Sequence, residues 1–218
     1  MTMYYPYEGL YRQEPSRVMT VNGQASLSVA PDTVSIQLTV MTENEQLSQA
    51  QQENANKMNQ VIQALLQAGI PRENIQTTAY NIVPRYDYVD GTQVFRGYQV
   101  TNTITVTLKN INQTGQMIDL AVKNGVNQVS NIQFTIENRQ KYYRQALSDA
   151  LQDAIMKGRT LAETLNVPFD ATPIKIVERT NEAPPPIQTF AAVAGSAATP
   201  IESGQIVIQA EVEAQFQY

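Results

Sequence analysis

Asp149, Asp153 and Lys157 recur every fourth residue, a spacing that stacks them along one side of a helix. Two carboxylates so placed could bind a metal ion or share acid–base work. The lysine one turn on favours a plainer arrangement, a solvated Asp153–Lys157 ion pair. Glu43 with Glu45, and Glu211 with Glu213, are accounted for by a helix start and by the wet face of a strand. The 218-residue chain contains no His and no Cys. That removes the commonest general base, the commonest transition-metal ligand and the thiolate nucleophile. No glycine-rich loop has phosphate-cradle spacing, no Ser sits in a nucleophile elbow, and no acidic run follows a calcium loop. The expectation is a non-enzymatic protein with no catalytic residue, no cofactor and no metal.

Charge narrows the partners. The formal net charge is -5 and the pI about 4.8, and no cluster of Lys and Arg offers the phosphate-binding surface on which nucleic-acid affinity rests. Nucleic acid is therefore not an expected partner. The longest apolar runs fall far short of the roughly 20 residues that span a bilayer. The start, MTMYYPYEGLYRQEPSR, lacks a basic segment followed by an apolar one, which reads as cytoplasmic by default.

The elements that would position any functional surface follow from periodicity. Residues 1–17 show none and read as a Tyr-rich arm, disordered or loosely docked, in which Tyr4, Tyr5, Tyr7 and Tyr11 are candidate contacts. In 18–40 the apolar residues fall on odd positions up to Val29 and on even positions from Val34 onward. A strand cannot change phase without a break, so Pro31 and Asp32 predict a turn joining two strands, about 19–29 and 33–41, as a hairpin. Thr42 and Glu45 have capping-box spacing and predict a helix starting there, with Leu47, Ala50, Met58, Val61, Ile62 and Leu65 as its apolar stripe. Gly69 and Pro71 end it.

A second hairpin is predicted over 75–108, with Asp90-Gly91 as a type I′ turn. Its second strand would run for about 15 residues, roughly 50 Å at the usual rise, long enough to reach past a compact body. Near its tip Arg85, Tyr86, Asp87, Tyr88, Phe95 and Arg96 gather. They suit a recognition patch, or more simply cross-strand pairing. A short helix at about 112–123, a strand at 132–136 and a long helix at 139–165 follow. Ala146, Ala150, Ala154, Gly158 and Ala162 form a small-residue stripe along that helix, expected to pack closely on the protein's own sheet. After a short strand at 174–178, residues 181–204 form a long loop whose apolar middle includes Ile187 and Phe190. The last strand, 206–217, has one buried and one wet face.

Several pieces in order resemble the SIMPL-domain family. They are Gly23, the APD of 30–32, AGIPRENIQT at 68–77 leading to Tyr80, Pro84 and Tyr86, then Tyr98 and Gly125. The four-spaced alanines with LAETLNV at 161–167 and TPIESGQIVIQAEVEAQF at 199–216 complete the set. The resemblance covers 18–218, read as a single domain, and implies an α+β fold in which helices pack on a mostly antiparallel sheet. It carries no catalytic motif, and it implies assembly from many copies and an envelope location like that of the bacterial periplasmic members. The combined expectation is a self-assembling structural or interaction protein, a homo-oligomer joined through the arm, through Tyr86, Tyr88 and Phe95, and through Ile187 and Phe190. The alternative is a binding module that holds a peptide or small ligand between the sheet and loop 181–204.

Overall fold

The computed structural model describes residues 17–179 and 199–218. Tyr4, Tyr5, Tyr7, Tyr11, Ile187 and Phe190 lie outside them. The elements are β1 (Val18–Val29), β2 (Thr33–Asn44), α1 (Leu47–Gln67), β3 (Ile75–Val89), β4 (Thr92–Leu108), α2 (Thr114–Lys123), β5 (Gln128–Thr135), α3 (Arg139–Leu165), β6 (Lys175–Arg179) and β7 (Ile206–Gln217). They form an α+β fold with two sheets, ordered β1-β7-β6 and β3-β4-β2-β5. The chain clusters into two compact units, each assembled from separated stretches of sequence.

The larger unit holds the four-stranded sheet, α1 and α2. Val34, Ile36, Leu38 and Val40 of β2 face the same core as Ile104, Val106 and Leu108 of β4, and Met58, Val61 and Leu65 of α1 pack on them. The α1 stripe also contains Asn54, fully buried, whose Nδ2 donates to the carbonyls of Val40 and Val100, at 2.9 and 3.1 Å. Helix α1 closes with a Schellman motif, Ile70 N–H to the Leu65 carbonyl and Gly69 N–H to that of Leu66.

Two sequence expectations are corrected here. The predicted 19–29/33–41 hairpin does not form: β1 lies beside β7, whereas β2 pairs with β4 and β5. The phase change at 30–32 marks a passage from one sheet to the other. Pro31 is buried there, and the Asp32 carboxylate accepts from the Glu137 amide at 2.8 Å, while its own amide donates to Thr135. The predicted capping box also fails. Thr42 is still in β2, opposite Val100, and its hydroxyl donates to the Ala50 carbonyl. Helix α1 starts four residues later than expected, at Leu47 with Gln46 in place of Thr42 at the cap position, and without a side-chain cap. Strand pairing satisfies the backbone of 42–44 before a helix can claim it.

The smaller unit is built on α3, whose limits agree with the sequence reading. Its Ala146, Ala150, Ala154, Gly158 and Ala162 are all buried. The reason for small residues is how near the sheet comes: a Cβ placed on Gly23 of β1 would stand 1.9 Å from the Ala150 carbonyl oxygen and 2.7 Å from the Ala154 amide. At Gly158 the space is taken by Phe169 and by Phe216 of β7, whose ring centroids are 5.1 Å apart.

The Asp153–Lys157 pair is present at 2.6 Å, and it also grips β1. The Asp153 carboxylate accepts from the Gln24 amide at 2.9 Å and Lys157 Nζ donates to the Asn22 carbonyl at 3.0 Å. Strand β1 is an edge, so these side chains occupy backbone groups that an added strand would use. The Lys157 ammonium and then the Gln24 amide hold the Asp153 carboxyl below its usual value. A carboxyl depressed in this way stabilises the fold above its unfolded pKa and gives that contribution up as pH falls through the folded one.

Two outcomes follow from this unit. Gly23→Ala should lower the unfolding free energy by about 3 kcal/mol, the upper part of the usual overpacking range, because the obstacle is backbone; urea denaturation with an unchanged slope would show it. Asp153→Asn should be less stable than the parent at neutral pH, with the gap narrowing below about pH 4. Denaturation curves collected along that pH series report it.

Candidate functional site

Hairpin β3–β4 carries the candidate contact residues. Its register runs from Ile75 opposite Val106 to Val89 opposite Thr92, and the turn has Asp90 and Gly91 both at positive φ, 52° and 78°, as a type I′ turn requires. From Tyr80 to Arg96 every residue of both strands is exposed.

The two faces of this hairpin differ, and a bulge sets the difference. Tyr98 and Val100 lie on the face that α1 covers at the base, so simple alternation would put Phe95 on the opposite face. Arg85 pairs with Gly97 and Tyr86 with Phe95, which leaves Arg96 as an extra residue in β4. The insertion returns Phe95 to the face of Tyr98. Ring contacts confirm it: Tyr86 meets Phe95 edge-on at 5.7 Å and Phe95 meets Tyr98 at 5.3 Å. Tyr80, Ile82, Pro84, Tyr86, Tyr88 and Phe95 thus continue the core face outward past the helix, uncovered, with Tyr88 75 % exposed. The other face bears the Asp87–Arg96 ion pair at 2.5 Å and Arg85 at 3.8 Å from Glu43. The cross-strand pairing expected for these residues is present in the aromatics, Tyr86 with Phe95, and in the charges, Asp87 with Arg96, while the rings stay exposed.

Gly97 makes the bulge possible. Its φ is +133°, and an added Cβ would stand 2.5 Å from the Asn44 carbonyl oxygen. The sequence reading did not single it out. A signal was there in retrospect: the even-numbered apolar alternation of 98–108 breaks at a glycine, and an aromatic stands on the odd side just beyond.

The smaller unit has a groove of about 430 Å³ between α3 and β6, with Leu147, Leu151, Ile176 and Val212 as its apolar lining and Arg144 and Glu178 beside them. Glu178 accepts from the Tyr143 hydroxyl at 2.5 Å, and that carboxylate, by holding the proton, pushes the Tyr143 hydroxyl above its usual pKa. Asp149 takes a hydrogen bond from Gln145. Among the described residues no three acidic side chains come together as a metal site, and no helix is long and apolar enough to cross a membrane.

The sequence pattern of SIMPL, described as a protein of unknown function (DUF541), matches residues 19–216. This chain belongs to the SIMPL family. It is 26 % identical over 227 residues to the 26 kDa periplasmic immunogenic protein of Brucella melitensis, covering 98 % of this chain and 89 % of that protein. It is 25 % identical over 144 residues to the uncharacterized protein YggE of Escherichia coli, covering 66 % of this chain and 58 % of that one. The SIMPL motifs have structural duties here. Asp32 fastens the exit of β5, residues 68–77 stop α1 and start β3, and Ala150 and Ala154 admit the backbone of Gly23.

Gly97→Ala should strain the backbone and drive a methyl group into the Asn44 peptide, with a stability loss of about 2 kcal/mol. Thermal denaturation measures the loss. Weaker near-ultraviolet circular dichroism from the Tyr86–Phe95–Tyr98 cluster should accompany it.

Proposed function

We propose that this SIMPL protein is a non-enzymatic structural or interaction protein that assembles with copies of itself, and that the β3–β4 hairpin supplies the contact. One observation carries the reading: an aromatic stripe continues the core-facing side of the sheet beyond its covering helix, while the opposite face carries paired charges. Apolar surface of that kind gains free energy when a partner removes it from water. Rigid aromatics add contact area at low entropic cost, which is why they concentrate at interfaces. A bulge retained to put Phe95 on that stripe supports the same reading. The name of the Brucella relative, a periplasmic immunogenic protein, supports extending the proposal to a cell-envelope or surface setting.

Light scattering on the full chain at micromolar concentration should give a defined mass several times the 24.3 kDa of one copy. Tyr86→Ser combined with Phe95→Ser should reduce it towards one copy without altering the far-ultraviolet circular dichroism. A parent protein that runs as a monomer removes the proposal.

A further inference from the structure

The sheet of the smaller unit has two edges. At β1 the side chains of Asp153 and Lys157 cover the Gln24 amide and the Asn22 carbonyl. Strand β6 is the other edge. The Ile174 amide donates to the Gln215 carbonyl at 2.8 Å. Gln215 thus turns its backbone groups to β6, and its register partner is Lys175. Backbone groups alternate sides along a strand, so Lys175, Val177 and Arg179 turn theirs to β7, while Ile176 and Glu178 turn theirs outward.

Beside this open edge lies the α3–β6 groove. Ile176, 50 % exposed, shares it with Leu147, Leu151 and Val212. Arg144 supplies a positive charge there and has no ion-pair partner among the described residues. The acid of the groove, Glu178, is held by the Tyr143 hydroxyl instead.

We propose that this groove takes an extended peptide, which adds as a strand to the outer edge of β6, sets alternate apolar side chains against Ile176, Leu147 and Leu151, and places a carboxylate on Arg144. Each part of the site asks for one part of that ligand. The outward backbone groups of Ile176 and Glu178 need a second backbone, the apolar lining needs side chains on every other residue, and the guanidinium needs an anion. A small hydrophobic molecule would satisfy only the lining. Five residues of β6 set the reach of the site at about the length of a hexapeptide. The inference does not rest on self-association through the β3–β4 hairpin, and the paired Tyr86 and Phe95 substitutions should leave it unchanged.

The probe is a fluorescein-labelled hexapeptide, TVTITE, titrated with the full chain and followed by anisotropy. Saturable binding is expected, weakened at least tenfold by Arg144→Ala and by Ile176→Pro. Because the Ile176 amide faces outward, proline there removes no bond to β7, and a thermal melt checks that the variant folds. If it does not, the same peptide N-methylated at alternate residues asks the question without touching the protein, and it should bind at least tenfold more weakly. The C-terminal amide and the TVTITQ peptide separate a terminal from a side-chain carboxylate, and loss with either supports the pairing with Arg144. Absence of saturation with the parent protein overturns the proposal. So does full affinity for the N-methylated peptide, or for the amide of TVTITQ.

Discussion

A β-strand shows successive side chains to opposite faces, and a change of face must be absorbed by the backbone. This constraint governs the protein at four places. At Ala30–Asp32 the chain leaves one sheet for the other. At Thr78 an extra residue in β3 moves the core side from Ile75 and Thr77 to Tyr80 and Ile82. At Arg96 an extra residue in β4 keeps Phe95 with Tyr98. In β5, where the register shifts against β2, Asn131 adopts a positive φ of 50° and the core side passes from Val129 to Phe134. Each break preserves a continuous apolar face along the sheet. At the hairpin that face extends beyond the covering helix, and this makes the hairpin a candidate contact surface.

Local signals were readable where one stretch of chain decides the outcome. Gly69 and Gly125 stop helices, Asp90-Gly91 turns a hairpin, and the alanines of α3 mark a face that lies against backbone. Signals that depend on a distant partner were not. Val18–Val29 and Thr33–Asn44 both read as strands, but nothing within them says that the first lies beside residues 206–217. Thr42 and Glu45 have the spacing of a cap, and pairing with Val100 overrode it. Asn54 stands four residues from both Ala50 and Met58, on the line of the apolar stripe. Its buried amide in fact ties α1 to the carbonyls of two strands. The aromatic tip was legible as composition. The open edge of β6 was not, since edges belong to sheet order.

Several charged side chains spend their polarity on the backbone. Asp32 holds the Glu137 amide, Asp119 holds the Thr199 amide and hydroxyl, and Asp153 with Lys157 holds β1. Such bonds raise the cost of local opening, because a partly buried carboxylate loses good partners when the segment moves. Acid residues placed in this way serve the architecture.

Strand β7 occupies the middle of the smaller sheet, between β1 and β6. During synthesis β1 therefore emerges without this neighbour, and it waits until β7 has cleared the ribosome. Residues 29–138, which supply all four strands of the other sheet, need no such delay. Vectorial folding leaves β1 without its neighbour while residues 30–205 are made, and a nascent chain cut short before residue 206 would never close that sheet.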